Sequence, residues 1–334
     1  MFKDEARYAY PIGVVRSLEA GLLSMEQIET LLVSRDLDGV LKILGETEYS
    51  QYLANINNGD YETALLVGLK KLLQLLSRLS LDQSLTDLFL LKYDLLNLKI
   101  ILKARLTGEG KSRLQSLSSD LGKMPVERLK KAIFEESYSD LPPLLKGAAL
   151  EAVSAFERDK DPQVIDIVLD RKFYPLLTVR TVESGTPFLK KYFEMVIDLI
   201  NINTLIRIKW RGDRPEVLQK ALLDNGSLPK GHYSTLLDSP WDAIPPKFFV
   251  TPYEGIVEHG IAHLTNYNSF DKFESLRDSL LTAYLKRARL FTFGIEPLVA
   301  YFLIKEKEIE TVRMIITAKL NNLPVEGIRE RLAA

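Results

Sequence analysis

Apolar residues recur at intervals of three and four along most of the chain, which is the spacing of one face of an α-helix. The pattern predicts a short helical pair over Ala20–Leu32 and Leu37–Leu44, then a longer leucine-rich helix over Tyr61–Leu79. A strand-like run occurs at Lys247–Val250, but no segment alternates apolar and polar residues for long enough to build a sheet. The sequence therefore predicts an all-α protein.

One helical phrase occurs three times, at Asp94–Gly108, Asp198–Gly212 and, in degenerate form, Glu308–Asn322. Each copy opens with an acid, carries a cation eleven residues later and ends with a residue typical of a left-handed helix cap. The copies start at intervals close to one third of the 334 residues, so each repeating unit has the size of a small domain and not of a solenoid repeat.

A break follows each copy, and we place the domain boundaries at these breaks. The predicted organisation is three similar helical domains, with the ranges 1–112, 113–216 and 217–334. A second phrase puts proline at the start of a helix with an acid in its first turn, at Met124–Leu129 and Leu323–Ile328, and Leu228-Pro229 is a weaker version.

The polar residues of the repeat are expected to be structural. The acids that open the three copies should form caps, hydrogen bonds between helices, or ion pairs with the repeated cations Arg105, Lys209 and Lys319. Asn97 and Asn201 occupy equivalent positions among apolar residues, where they either bridge neighbouring helices or lie on a solvated face.

Charge and composition narrow the function classes. The formal net charge of −1 provides no general attraction for nucleic acid, and the absence of cysteine excludes disulfides, thiolate zinc sites and cysteine nucleophiles. The segment Met1–Arg7 is charged where a signal peptide would be apolar, and no apolar stretch approaches the ~18 residues of a bilayer span. We expect no transmembrane segment and no nucleic-acid partner.

No catalytic, cofactor or metal site is predicted. His259 and His263 share one helix face, but Gly260 stands where a zinc hydrolase needs glutamate after the first histidine. The run Gly108–Ser112 has the wrong spacing for a phosphate loop and is better explained as a hinge. A helical metal-dependent hydrolase remains an alternative.

Basic clusters lie near helix ends at Lys103 and Arg105, at Lys209 and Arg211, and most densely at Lys286, Arg287 and Arg289. They either complement helix dipoles or bind a partner. Lys286, Arg287 and Arg289 are the predicted partner-binding residues.

Specific phrases resemble the C subunit of V-type (A-type) ATP synthases, the counterpart of the d subunit of the eukaryotic vacuolar ATPase. The segments that carry the likeness are, in order, Tyr8–Tyr10, Arg16–Leu23, Asp38–Leu44, Glu46–Tyr49, Asp94–Lys99, Leu169–Tyr174, Ile197–Asn201, Phe293–Tyr301, Glu308–Lys319 and Leu323–Leu332. It covers essentially the whole chain in the same order.

The resemblance implies a funnel of three helical domains around a pseudo-threefold axis. In such a protein the narrow side caps the membrane rotor ring and the open cavity receives the central shaft. It would have no catalytic residue and no cofactor, lie peripherally on the cytoplasmic face of the membrane, and transmit torque for proton or sodium transport. A helical scaffold or adaptor unrelated to the rotary ATPase is the other alternative.

Overall fold

The computed structural model of the chain describes residues 5–53, 60–108, 110, 114 and 118–332. Throughout these residues the regular structure is α-helix and short 3₁₀-helix with no strand, which confirms the all-α prediction. The strand-like run at Lys247–Val250 lies partly in the 3₁₀-helix Pro245–Phe248. Part of the predicted hinge Gly108–Ser112 lies outside the described residues.

The α-helices are numbered here in chain order. They are α1 (Ala9–Glu19), α2 (Met25–Val33), α3 (Leu37–Gly45), α4 (Ser50–Leu53), α5 (Tyr61–Leu79), α6 (Gln83–Thr107), α7 (Val126–Phe134), α8 (Pro143–Asp159), α9 (Gln163–Glu183), α10 (Pro187–Arg211), α11 (Pro215–Ala221), α12 (Lys230–Ser234), α13 (Glu254–Tyr267), α14 (Asp271–Lys286), α15 (Glu296–Leu320) and α16 (Val325–Leu332).

The N-terminal helices differ in part from the predicted pair. The apolar spacing did not predict helix α1, and α2 begins only at Met25 because Ser24 and Gln27 form a capping box. The predicted helix over Ala20–Leu32 is therefore wrong in its first turn. Helix α3 and the long helix α5 lie where the apolar spacing placed them.

Tertiary contacts divide the chain into two compact units, Met1–Leu81 with Ser239–Ala334, and Asp82–Asp238. The first unit therefore contains both ends of the sequence. The division into the ranges 1–112, 113–216 and 217–334 stays a prediction.

Each unit has its own helical core. In the first unit α5 packs against α15, and it buries a stripe of leucines at helical spacing: Leu65, Leu69, Leu72 and Leu76. Each such side chain contributes about 1.5–3 kcal/mol of hydrophobic stabilisation. In the second unit α9 packs against α6, α8 and α10.

The three repeat phrases form the second halves of α6, α10 and α15, and each of these helices is 25 residues long. Gly108, Gly212 and Asn322 follow the helix ends with φ values of 77°, 70° and 52°, so all three predicted left-handed caps are confirmed. The opening acids therefore lie near the middle of equivalent helices.

Candidate functional site: three carboxylate junctions and a basic turn

Asp94 lies buried in the middle of α6 and binds the loop that leads into α7. Its carboxylate accepts the backbone N–H groups of Met124, at 2.9 Å, and Lys123, at 3.2 Å. One turn later Asn97 accepts the N–H of Ser119 at 3.0 Å and donates to the same residue's carbonyl at 2.8 Å. These contacts form the first carboxylate junction.

Asp198 forms the second carboxylate junction in the same way. It accepts the N–H groups of Ser227 and Leu228, both at 3.1 Å, together with the hydroxyls of Ser227 and Tyr233. Asn201 binds the N–H and the carbonyl of Leu223 at 2.8 and 3.1 Å. The sequence separations of 29, 30 and 22 residues are identical in the first two junctions, so the repetition is structural.

The third carboxylate junction is closed by the opposite end of the chain. Glu308 accepts the N–H of Leu23 at 2.6 Å across 285 residues, and the hydroxyl of Tyr49 at 3.0 Å. Like Met124 and Leu228, Leu23 directly precedes the N-cap residue of a short helix. In the third junction the N-terminal segment therefore supplies the backbone N–H donor, whereas in the first two junctions the loop after the repeat helix supplies it.

A glycine stands two residues before each donor, at Gly21, Gly122 and Gly226. A Cβ at Gly122 or Gly226 would overlap the carboxylate of Asp94 or Asp198, and a Cβ at Gly21 would overlap that of Glu48. The sequence shows the donor loop as the motif Gly-x-Leu/Met followed by serine or proline. Our sequence analysis of the repeat did not include the glycine of this motif, nor its copy near the N-terminus at Gly21–Ser24.

The repeated cations of the second and third copies donate to backbone carbonyls. Lys209 donates to the carbonyl of Leu237 at 2.7 Å, and Lys319 donates to the carbonyls of Leu32 and Ser34, both at 2.6 Å. Leu32 and Ser34 lie at the end of α2, so Lys319 satisfies carbonyls that the helix leaves unpaired. Of the alternatives given for the repeated acids, the described contacts favour hydrogen bonds over ion pairs with these cations.

Arg105 follows a variant of this arrangement, because it donates to the Tyr138 hydroxyl at 2.5 Å and to the carboxylate of Glu136. Asn97 and Asn201 are 2% and 0% exposed, so the alternative of a solvated face is wrong for them. They connect a helix to a loop and not to a second helix.

Burial raises the pKa of one group in the first junction and of one group in the third. It raises the pKa of Asp94, although the backbone N–H groups of Met124 and Lys123 act in the opposite direction. Burial, and then the charge of Glu308, raises the pKa of Tyr49, which keeps that hydroxyl a donor. The carboxylates of Asp94 and Glu308 thus accept hydrogen bonds from donors that the fold holds in place.

Lys305 supplies a buried counter-charge at the third junction. It lies 2.6 Å from Glu308 and 3.3 Å from Glu48, and its ammonium group stands 4.8 Å from the ring centre of Tyr49. The cluster borders a cavity of about 390 Å³ in the first unit, whose wall also contains Tyr301.

The two histidines of the hydrolase alternative lie on α13, with His259 exposed and His263 half-buried. The His263 ring stacks against Tyr267 with 4.8 Å between ring centres. Within the described part of the chain, no three histidine, aspartate or glutamate side chains come together as a metal site would require.

Lys286, Arg287 and Arg289 lie at the end of α14 and in the following 3₁₀-helix Arg287–Leu290, and all three are exposed. We call the segment 286–290 the basic turn. Among the described residues none of its three cations lies within 4 Å of a carboxylate. By contrast, Lys103 pairs with Asp166.

Arg105 likewise pairs with Glu136, and Arg211 pairs with Asp213. In the basic turn all three charges face solvent, and none has an acidic partner among the described residues. Among the described residues, no helix has the length and apolar run needed to cross a bilayer.

Comparison with known proteins supports the resemblance drawn from the sequence. The chain matches the ATP synthase (C/AC39) subunit family over residues 11–331. It is 26% identical to the C subunit of the V-type sodium ATPase of Enterococcus hirae over 319 residues, which cover 96% of each chain. It is 25% identical to the C subunit of the A-type ATP synthase of Methanocaldococcus jannaschii, with 99% of this chain and 88% of that protein covered. Because the match spans nearly the full length, the chain belongs to the ATP synthase (C/AC39) subunit family.

Proposed function

We propose that this protein is the central-rotor subunit of a V/A-type rotary ATPase, a socket that joins the central shaft to the membrane rotor ring. It would transmit torque for ATP-coupled proton or sodium transport and would lie on the cytoplasmic face of the membrane, held by the ring. The observation that carries the proposal is the family match over residues 11–331, together with relatives named as the C subunit of such machines.

The junctions supply the stiffness that a torque-transmitting part needs. Each one ties a loop or a terminal segment to the middle of a 25-residue helix through a buried carboxylate. Hydrogen bonds to ionised groups contribute about 1.5–3 kcal/mol each, more than bonds between neutral groups. A load applied to one of these loops is therefore passed to the helix core of its unit.

The same contacts favour a role without catalysis. Asp94, Asp198 and Glu308 are the acids that recur, and each is buried and hydrogen-bonded to backbone donors. A general acid or base must instead reach a substrate proton. The repeat is thus built for holding parts together.

Isolation of the complex from membranes tests the proposal. We expect one copy of this chain per particle, together with the ring-forming membrane subunit and the shaft subunits. In a strain that lacks this chain, the ATP-hydrolysing head should still turn over ATP while ion transport driven by ATP is lost. Ion transport at the normal rate in particles without the chain would reject the socket function.

A further inference from the structure

The basic turn combines three exposed cations with one exposed apolar residue. Leu290 is 83% exposed and follows Arg289 directly. Singly exposed leucines are common, but this one projects from a segment whose cations also point to solvent. The turn therefore presents charge and an apolar side chain on one short surface.

The backbone of the turn is held in place by Arg16 of α1. One terminal nitrogen of this side chain donates to the carbonyls of Arg289 and Phe291, both at 3.1 Å, and to that of Ala288 at 3.4 Å. The other terminal nitrogen binds the carboxylate of Glu19 at 2.9 Å, which fixes the guanidinium itself. The first nitrogen has two hydrogens, which the three carbonyls share, and the planar guanidinium binds the turn and Glu19 at the same time, which a lysine ammonium cannot do with this fork geometry.

The charges of the turn exceed what the helix end requires. A single cation in the last turn, here Lys286, complements the dipole of α14. Arg287 places its guanidinium 5.3 Å from the ring centre of Tyr284, which orients it without neutralising it. Two arginines therefore keep their full charge on a fixed backbone.

We propose that the basic turn is a docking surface for a protein partner that carries an acidic patch around an apolar depression, and that Arg16 is its positioning residue. The proposal rests on the proposed function, because it describes how the socket recognises one of its neighbours in the rotor. Leu290 would fill the depression, while Lys286, Arg287 and Arg289 would face the acids. Charge complementarity of this kind sets orientation and raises the association rate.

A protein partner suits the turn better than an anionic membrane surface. Headgroups attract flexible lysine and arginine side chains through their summed charge, which does not depend on a fixed backbone. A turn that is already ordered loses less conformational entropy on binding, and this helps affinity only when the partner also has a defined shape. The three carbonyl bonds from Arg16 thus favour a shaped partner, and vesicle binding is the competing outcome.

The test measures binding of the full-length protein to the detergent-solubilised rotor ring and, separately, to the shaft subunits, by surface-based kinetics at low and high salt. The charge variant is Lys286→Glu/Arg287→Glu/Arg289→Glu. Its control makes the same change in net charge at three exposed cations elsewhere: Arg35→Glu/Lys42→Glu/Lys70→Glu. Leu290→Ala and Arg16→Lys complete the set, and circular dichroism establishes that each variant is folded.

For one of the two partners we expect the charge variant to slow association at low salt at least tenfold, while the control changes it less than twofold. Leu290→Ala should raise the dissociation rate about tenfold, because the apolar contact forms only after encounter. Arg16→Lys should raise it several-fold and leave the salt dependence of association unchanged, since the net charge is the same. A loss of binding caused by misfolding would not change the association rate in one variant and the dissociation rate in another.

The outcomes distinguish this inference from the proposed function. If the unmodified protein binds neither ring nor shaft, the socket function fails. If it binds and the charge variant binds equally well, the docking surface is wrong while the socket function stands. Binding to ring-free vesicles of anionic lipid that the charge variant loses, with protein binding unchanged, would assign the turn to the membrane and also overturn the inference.

Discussion

Replacing Asp198 by alanine should destabilise the second unit far more than replacing an exposed acid of the same loop. Asp198 is 0% exposed and is the common acceptor for Ser227, Leu228 and Tyr233. Asp224 lies in the same loop and forms an exposed ion pair with Lys230 at 2.8 Å. The pair of variants therefore compares a buried and an exposed carboxylate in one segment.

The magnitude follows from which donors water can reach after the change. Ser227 is exposed, so its N–H and hydroxyl can be hydrated at small cost. Tyr233 is 0% exposed and Leu228 is half-buried, so the tyrosine hydroxyl and the Leu228 N–H lose the Asp198 carboxylate as acceptor at positions that water reaches poorly. Two such donors at about 1–3 kcal/mol each give a loss of about 2–6 kcal/mol, against less than about 1 kcal/mol for Asp224→Ala.

Urea unfolding followed by tryptophan fluorescence measures the difference. The chain has two tryptophans, Trp210 in the second unit and Trp241 in the first, so a Trp241→Phe background isolates the unit that contains Asp198. The Asp198→Ala midpoint should fall strongly at an unchanged slope, because the same surface is exposed on unfolding. Equal free energies of unfolding for the Asp198 and Asp224 variants would refute the reasoning that the buried acceptor holds the loop.

Three further outcomes follow from the same structure. Gly226→Ala should destabilise the second unit in urea unfolding, because its Cβ meets the Asp198 carboxylate, whereas Gly231→Ala in α12 meets open space and should be neutral or stabilising. The pKa of Asp94 is raised in the folded state, so protonation of Asp94 favours the folded protein. This contribution to the free energy of unfolding is fully present below the unfolded pKa of about 3.9 and is lost as pH rises through the higher folded pKa. The free energy of unfolding of the unmodified protein, relative to that of Asp94→Asn, should therefore increase as pH falls from 7 to 4. Purified protein should neither hydrolyse ATP nor bind it tightly in a calorimeter, and turnover abolished by substituting His259 or His263 would favour the hydrolase alternative.

Local periodicity was sufficient for helices α3 and α5 and for the repeat helices. The stripe of α5 and the caps at Gly108 and Gly212 follow from spacing and from single residues, which the sequence displays directly. The start of α2 was misplaced because Ala20–Leu23 is apolar and helix-compatible, and the capping box of Ser24 decided the boundary.

The partners of the repeated acids could not be obtained from periodicity. An acid and a cation eleven residues apart on one helix lie about 16 Å apart along its axis, too far for direct contact. Each therefore binds a different part of the chain: Asp198 the residues Ser227 and Leu228, and Lys209 the carbonyl of Leu237. Tertiary packing decides these partners. Similarity between the copies predicts the partners in one copy only when the contacts of another copy are already known.

The third junction shows why one copy of the repeat is degenerate. In the first two, helix and donor loop are 29 or 30 residues apart, whereas Leu23 and Glu308 are 285 residues apart. Closing the longer loop costs about 2 kcal/mol more in chain entropy, from the logarithmic dependence on length. Glu308 has further donors in Tyr49 and the buried Lys305, so the additional hydrogen bonds are of the size needed to offset this cost. The third copy, which joins Leu23 to Glu308, therefore does not need the aspartate and asparagine that hold the short loops of the first two junctions.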